Sequence, residues 1–320
     1  MINSSPRCPM CESMEAKCIE NINVDELDKL YRLEAGYSVR NLFGSTQAVA
    51  LCQCEKCNLK YFFPMVAGTQ DFYENLQKFE WYYFDDKPEY IFATQYIKNG
   101  DDVLEIGAGK GSFAKKIQST CYTGLEFSQQ AIRFAQSNGV RLIAQSIENY
   151  SMENINKHDV VCNFQVLEHV SDVNAFLKSS VTCLKPGGLM IISVPSSDSF
   201  SRYVRNFWLD MPPHHLTRWN DLALANIAKQ YGLELVTIHH EYLQDPHKQF
   251  YAATIFANAF FGLIGKPYRS VDLGIVSRLI GRLSALLGKL FTRGLVDADL
   301  LPRGLSLVAV YRKPIINNLL

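Results

Sequence analysis

The chain has 320 residues, of which 48% are hydrophobic and 20% are charged. This composition excludes a disordered or low-complexity protein and is sufficient for a sizeable core. Lys+Arg and Asp+Glu both number 32, so the formal net charge is zero and no field of the whole molecule attracts nucleic acid. We therefore expect no nucleic-acid partner.

Targeting signals are not evident. The first ten residues are polar and contain a proline, unlike the apolar segment of a secretion signal. The longest apolar stretch, residues 251–265, falls short of the roughly 20 residues that a membrane-spanning helix needs. These features predict a cytoplasmic protein. In that compartment its nine cysteines are expected to be metal ligands and core thiols rather than disulfides.

Residues 1–69 are cysteine-rich, contain no long periodic segment, and carry two Cys-x-x-Cys pairs. Four thiolates suit a closed tetrahedral Zn²⁺ site, so we predict a structural zinc module whose ligands are Cys8, Cys11, Cys54 and Cys57. Cys52 competes with Cys54 for this role, and redox dithiols or unrelated thiols are the alternatives. The remaining cysteines of predicted strands and helices are expected in the core: Cys121, Cys162 and Cys183.

Residues 70–98 form a predicted helical connector that is dense in aromatic side chains. Its Trp81-Tyr82-Tyr83 run is a candidate to close over a ligand. The alternative interpretation is a core cluster between two domains.

From residue 99 onward, short apolar runs alternate with segments of helical period, which is typical of a doubly wound α/β sheet with crossover helices. Seven strands are predicted, at residues 102–106, 122–126, 140–144, 159–164, 189–194, 233–239 and 305–311. Helices are predicted at residues 111–118, 128–137, 172–184 and 220–231. The predicted core therefore covers residues 99–245, and a helical insertion (246–303) separates it from a last strand (304–313) and a tail (314–320).

A glycine-rich turn follows the first of these strands. Gly107, Gly109 and Gly111 let the backbone approach a ligand closely, and a helix beginning there would present its amides. Glu126 ends the next strand 19 residues after Gly107, where an acidic side chain binds ribose hydroxyls. Together these features predict a nucleoside-type ligand, whereas the glycines alone could be a tight turn.

Four segments in order, residues 103–113, 124–128, 163–170 and 184–188, resemble the successive motifs of class I S-adenosylmethionine-dependent methyltransferases. The resemblance implies a Rossmann-like seven-stranded sheet, methyltransferase activity, and S-adenosylmethionine as cofactor. It places Glu105 and the glycine turn at the methionine part, Glu126 at the ribose and Phe127 on the adenine. The other implied cofactor residues are Ala108 within the glycine turn, Ser146 and Ile147 at the place where relatives bind the adenine, and Phe164 and Gln165 at the sulfonium.

Residues 164–169, residues 212–219 and the cysteine pairs are similar to those of methyltransferases that modify sugars in bacterial surface-polysaccharide pathways, several of which carry an N-terminal zinc module. This resemblance implies O-methylation of a sugar in a nucleotide-sugar, a lipid-linked saccharide or a polysaccharide. The alternatives are methylation of RNA or protein, with the zinc module as docking surface, and a non-catalytic binding module.

Methyl transfer to a hydroxyl requires a group that accepts the proton, and a neutral imidazole suits that role. His215, His214 and His169, in that order, are the candidate bases because their segments follow strands at the edge of the sheet where ligands bind. The alternative roles are a helix cap near Asn220, packing on tryptophans, or a hydrogen bond at a helix start.

Residues 272–293 form a predicted amphipathic helix with bases at Arg278, Arg282, Lys289 and Arg293. Such a helix can lie in the interface of a membrane, so peripheral contact at its inner face is one expectation. The alternative is a helical lid or dimer face.

Overall fold

The computed structural model describes residues 6–76, 78–79, 86–117, 121–295 and 301–315. The predicted Trp81-Tyr82-Tyr83 cluster and the end of the tail lie outside these residues.

The N-terminal part forms a small antiparallel sheet in the order β1-β2-β3-β9. Its strands are β1 (Ala16–Asn23), β2 (Ala48–Cys54), β3 (Lys60–Phe63) and β9 (Thr217–Arg218). The fourth strand comes from the distant part of the chain that follows the two adjacent histidines. The N-terminal segment and the core are therefore joined through one hydrogen-bonded sheet.

The expectation of no long periodic segment before residue 69 was wrong. Helix α1 (Val24–Ala35) buries Leu27, Leu30 and Tyr31 on one face, at the three- and four-residue spacing of an amphipathic helix. Asn23 caps its first turn through its side-chain oxygen, and Gly36 ends it in a left-handed conformation.

The main sheet has seven strands in the order β10-β11-β8-β7-β4-β5-β6, which confirms the predicted fold class. The strands are β4 (Asp102–Ile106), β5 (Cys121–Leu125), β6 (Leu142–Ile143), β7 (His158–Phe164), β8 (Leu184–Pro195), β10 (Glu234–Tyr242) and β11 (Arg303–Arg312). β11 runs antiparallel to both of its neighbours, and the other pairs are parallel. From β4 the chain continues to β5 on one side of β4, and it later returns to β7 on the other side. At such a reversal of strand order, the ligand-binding crevice is expected at the carboxyl ends of the strands.

Three of the helices that the sequence predicted around the sheet begin at side-chain caps. The helices around the sheet are α2 (Gln70–Leu76), α3 (Pro88–Thr94), α4 (Gln129–Ser137), α5 (Ile147–Ser151), α6 (Val173–Cys183) and α7 (Asp221–Tyr231). Ser128, Asp172 and Asn220 each accept a backbone N–H from the first turn that follows them. The helix predicted at residues 111–118 is absent from the described chain there. Turns and a short 3₁₀ segment, Ala114–Lys116, replace it.

The helical insertion is a hairpin of α8 (Asp245–Leu263) and α9 (Ile275–Phe291). It separates β10 from β11, as the sequence predicted. Among the described residues, no helix combines the length and the apolarity needed to cross a membrane.

Candidate functional site

The glycine turn lies at the carboxyl end of β4. Gly107, Gly109 and Gly111 have φ of 71°, 54° and 76°, a region that side-chain-bearing residues seldom adopt. At Gly107 an added Cβ would come within 2.5 Å of Val166 Cγ2, and at Gly111 within 2.8 Å of Val140 Cγ1. Gly107 and Gly109 line the main cavity, whereas Gly111 packs against Val140 instead.

Glu126 follows the end of β5 and is held beside the glycine turn. Its carboxylate accepts backbone N–H groups from Gly109, Phe127 and Ser128, each at 2.8 Å. The contact with Gly109 brings together the two features from which the sequence predicted a nucleoside site. Phe127 borders the same cavity and is 72% exposed, so its ring is available to a flat ligand.

The end of β7 is the third segment that borders the cavity, after the glycine turn and the end of β5. Gln165 has a φ of 58°, and its amide nitrogen donates to Ser193 Oγ at 3.1 Å and to Ser306 Oγ at 3.3 Å. A longer contact of 3.4 Å joins the same nitrogen to Glu89 Oε1. Phe164 and Gln165 both line the cavity. In the sequence they lie between the glycine turn and the three histidines.

The cavity has a volume of about 1370 Å³. This exceeds the roughly 300–1,000 Å³ that is usual for one small ligand, so a cofactor and an acceptor can be bound together. Seven acidic and four basic side chains line it: Glu74, Asp86, Glu89, Glu126, Glu168, Asp210 and Glu241, and Lys87, Lys110, Arg133 and Arg218.

Four residues that the resemblance assigned to the cofactor do not line this cavity: Glu105, Gly111, Ser146 and Ile147. The Glu105 carboxylate is buried and accepts a hydrogen bond from the Tyr122 hydroxyl. Burial raises the pKa of Glu105 to about 8. Ser146 caps α5 through its hydroxyl, and Ile147 is buried in the core.

The three candidate bases form one cluster on the cavity wall. The ring centroids of His169, His214 and His215 are 4.5–4.9 Å apart. The ring pair His214–His215 is stacked. One ring nitrogen from each lies within 4.8 Å of the others, an arrangement that could also hold a metal ion.

Hydrogen bonds define which nitrogen of each ring carries its proton. Nδ1 of His169 lies 2.6 Å from the His214 carbonyl, and Nδ1 of His214 lies 2.8 Å from the Leu209 carbonyl. Nδ1 of His215 lies 3.2 Å from Asp210 Oδ1. Because these partners accept hydrogen bonds, each Nδ1 carries the proton and each Nε2 is the acceptor atom.

Burial keeps the three rings neutral. It lowers the pKa of His169 to about 4 and lowers those of His214 and His215 well below the ordinary histidine value. The alternative role as a helix cap does not apply, because Asn220 itself caps α7.

Sequence reasoning missed two acidic residues beside the cluster. Asp210 contacts His215 and also pairs with Arg218, whose Nε lies 2.8 Å from Asp210 Oδ2. Glu168 is 1% exposed, and neither of its carboxyl oxygens has a hydrogen-bond partner in the described structure. Burial raises the pKa of Glu168 to about 8. The only sequence signal was its position next to His169 at a strand end.

The N-terminal segment positions the histidine loop. Leu216, next to His215, accepts the backbone N–H of Phe62 at 3.0 Å and donates its own to the Glu168 carbonyl at 2.7 Å. The Tyr31 hydroxyl lies 2.9 Å from the Met211 carbonyl. Strand β3 and helix α1 therefore fix the backbone on both sides of His214 and His215.

The four predicted zinc ligands converge. Sγ of Cys8 lies 3.5 Å from Sγ of Cys57, and the Cys11–Cys54 pair has the same separation. All four sulfurs lie within 4.8 Å of one another. A tetrahedron with Zn–S bonds of about 2.3 Å requires sulfurs about 3.8 Å apart, so the arrangement fits zinc.

The other cysteines lie outside this cluster. Cys52 is buried and contacts the Ala50 carbonyl, so it does not replace Cys54. Cys162 and Cys183 are buried as expected, but Cys121 is exposed at the start of β5, so its assignment to the core was wrong.

A family model described as "Methyltransferase domain" matches residues 76–238, about half of the chain. The chain belongs to this family of S-adenosylmethionine-dependent methyltransferases. The match begins in the connector and ends in β10. It therefore includes the glycine turn, Glu126 and all three histidines of this methyltransferase.

Curated relatives are similar over a shorter part of the chain than the family model. The ubiquinone biosynthesis O-methyltransferase of Vibrio vulnificus is 31% identical over 113 residues, which are 33% of this chain and 48% of that protein. The protein of the same name from Proteus mirabilis is 28% identical over 102 residues, 29% of this chain and 42% of its own. This methyltransferase thus spans about half the length of the relatives that it matches.

Among solved structures, a S-adenosylmethionine-dependent methyltransferase from Archaeoglobus fulgidus is similar with a TM-score of 0.44 and 19% identity. The similarity covers 70% of this chain and 90% of that one.

Proposed function

We propose that this methyltransferase transfers the methyl group of S-adenosylmethionine to a hydroxyl of its acceptor. The observation that carries the proposal is the cluster of His169, His214 and His215 on the wall of the large cavity. Each ring is neutral and has an Nε2 that accepts protons, which is the state that a general base requires.

The cavity residues fit the cofactor. Gly107 and Gly109 leave room for the cofactor to approach the backbone closely. Ribose hydroxyls could donate hydrogen bonds to the Glu126 carboxylate in place of the backbone N–H groups that it accepts. Phe127 offers a flat apolar surface for the adenine. When bound, this cofactor supplies an electrophilic methyl group on a sulfonium.

His215 is the base that the contacts favour. Its Nδ1–H is oriented by Asp210, which would also stabilise the imidazolium that forms when Nε2 takes the proton of the acceptor hydroxyl. A hydroxyl oxygen that gains a methyl group becomes strongly acidic, so a base with a low pKa suffices. Arg218 holds Asp210 in position through its ion pair.

Glu168 would bind the acceptor next to this base. Because its pKa is about 8, its carboxyl is neutral at pH 7 and has both an O–H donor and an acceptor oxygen. His169 Nε2 lies 3.8 Å from Glu168 Oε1, beyond hydrogen-bond distance, and a buried carboxyl without a hydrogen bond is costly unless a ligand satisfies it. A hydroxyl-rich acceptor would do so.

The acceptor that we propose is a sugar, carried as a nucleotide-sugar, a lipid-linked saccharide or a polysaccharide end. The polar wall of Glu168, Asp210, Ser196 and Ser197 supports a ligand with several hydroxyls. The second candidate is an aromatic hydroxyl, which the similarity to ubiquinone biosynthesis O-methyltransferases supports.

We also propose that Zn²⁺ binds the four cysteines as a structural ion. Four thiolates fill its coordination, so the ion would leave no open position for an acceptor. Its role would be to fix the N-terminal sheet, because the Cys57 carbonyl accepts from Asn226 on α7 and the Met10 carbonyl accepts from Tyr231.

Methyl transfer from labelled S-adenosylmethionine to a panel of nucleotide-sugars and phenols tests the proposal. With the acceptor that reacts, His215→Ala should lower kcat by about 100-fold or more and leave the Kd of S-adenosylmethionine unchanged. His239→Ala is the matched control, because His239 stacks on Phe92 away from the cavity. Unchanged kcat in His215→Ala would reject the base, and exclusive methylation of phenols would replace the sugar with the second candidate.

A further inference from the structure

The helical hairpin presents an apolar surface that the methyltransferase reaction does not use. Of the 25 large hydrophobic side chains that are exposed in the described structure, 11 lie between residues 255 and 291. Single exposed apolar side chains are normal, but such a concentration indicates a surface that binds something.

Helix α9 packs against the protein through its small residues and turns its leucines outward. Ser277, Ser284 and Gly288 are buried, and a Cβ at Gly288 would come within 2.8 Å of the Ala253 backbone on α8. The two helices are therefore in close contact. This is the reverse of an ordinary surface helix, which buries its large apolar face.

The outward face of α9 is one continuous stripe. At 100° per residue, its members lie within roughly 100° of arc, centred about 150° from the buried small residues. They are 46–69% exposed: Ile275, Val276, Leu279, Leu283, Leu286 and Leu290. At the far end of α8, Leu263 is 82% exposed and Ile264 is 55% exposed.

Basic side chains flank this stripe on one side. Arg278, Arg282 and Lys289 are exposed and lie roughly 90° from its centre. Residues 273–292 contain no acidic residue, and neither do residues 246–271. A helix that carries leucines outward and cations at their margin matches a bilayer surface, whose acyl chains accept the leucines and whose phosphates accept the cations.

We propose that the outward face of α9, with the adjoining tip of α8, docks onto an anionic lipid bilayer. A second copy of the chain is the less favourable occupant. An antiparallel two-fold interface built from this face would bring the basic margins of α9 together, and residues 273–292 hold no carboxylate to pair with them. The proposal does not depend on the acceptor or on methyl transfer.

The connections of the hairpin hold this face in a fixed orientation. Asp272, just before α9, lies 2.7 Å from Lys266 Nζ, and Ser270 donates to Glu20 of β1 at 2.6 Å. At the other end, Gln244 and Pro246 line the cavity where α8 begins. Docking would therefore hold one side of the cavity mouth near the lipid surface.

Co-sedimentation of the full-length protein with vesicles tests the proposal, using phosphatidylcholine alone and phosphatidylcholine mixed with phosphatidylglycerol. We expect binding to the anionic vesicles that weakens as salt is added. The triple variant Arg278→Gln, Arg282→Gln, Lys289→Gln should lower the partition coefficient about 100-fold. The triple variant Leu279→Gln, Leu283→Gln, Leu286→Gln should lower it at least tenfold.

A matched control replaces equally exposed apolar residues elsewhere, Ile91→Gln, Met152→Gln and Ile155→Gln, and should bind as the wild type does. Sedimentation velocity without lipid completes the test. The proposal is overturned if the wild type does not bind anionic vesicles. It is also overturned if the wild type is a dimer that the leucine variant converts to monomers, because the face is then a subunit interface. The charge variant alters exposed residues alone, so it remains informative if the leucine variant does not fold.

Discussion

Replacing Glu168 with glutamine is expected to stabilise the protein at alkaline pH and to have little effect at acidic pH. Glu168 is 1% exposed, and burial raises its pKa from 4.5 to about 8. Between these values the folded protein holds a proton on Glu168 that the unfolded chain has released. Stability from this group is therefore fully present below pH 4.5 and is lost as the pH rises toward 8. Glutamine has nearly the same shape and does not titrate.

The size of the effect follows from the shift. A difference of about 3.5 pKa units at 1.36 kcal/mol each gives about 5 kcal/mol as an upper value, and relaxation of the site reduces it to about 2–5 kcal/mol. Urea unfolding of both proteins at about pH 5.5 and about pH 8.5 samples about 2.3 of these units, so the stability difference between the two proteins should change by up to about 3 kcal/mol between the two pH values. Glu153→Gln, at an exposed position, is the control and should show no pH-dependent gain. Parallel stability curves for Glu168→Gln and wild type would show that Glu168 is not a buried neutral carboxyl.

Two further predictions concern the groups that support the base and the fold. Asp210→Asn removes the carboxylate that orients His215, so kcat should fall about 10–100-fold. The Kd of S-adenosylmethionine should stay within about twofold. A change in Kd with kcat unchanged would place Asp210 at the cofactor instead. The purified protein should contain one equivalent of zinc by elemental analysis. Cys57→Ser should lose the zinc and lower Tm by about 2–5 °C or more. Full zinc content in Cys57→Ser would exclude the four-cysteine site.

Much of the main sheet could be predicted because its strands are buried on both faces. Such strands form continuous apolar runs between helices, and the predicted strand at residues 102–106 coincides with β4. The predicted starts of α4, α6 and α7 agree with the structure, in which each helix begins at a capping side chain, a local interaction.

What the sequence did not predict depends on contacts between distant segments. The two-residue strand β9 exists because it pairs with β3, more than 150 residues earlier. Asp210 and Glu168 became candidate site residues only when the fold buried them beside the histidines. The segment after the glycine turn had a helical pattern, but three positive-φ glycines and the packing of Gly111 on Val140 leave turns there.

Calorimetric titration of the zinc-loaded protein with S-adenosylmethionine and with S-adenosylhomocysteine tests the central claim, that the glycine turn and Glu126 form the cofactor site. We predict Kd values in the micromolar range, about 1–100 μM, for the wild type and for the exposed-site control Glu153→Ala. Glu126→Ala should weaken binding of both ligands about 100-fold or more, because it removes the acceptor for ribose hydroxyls and for the Gly109 amide. Equal affinity in Glu126→Ala, or no binding of either ligand to the wild type, would contradict the account.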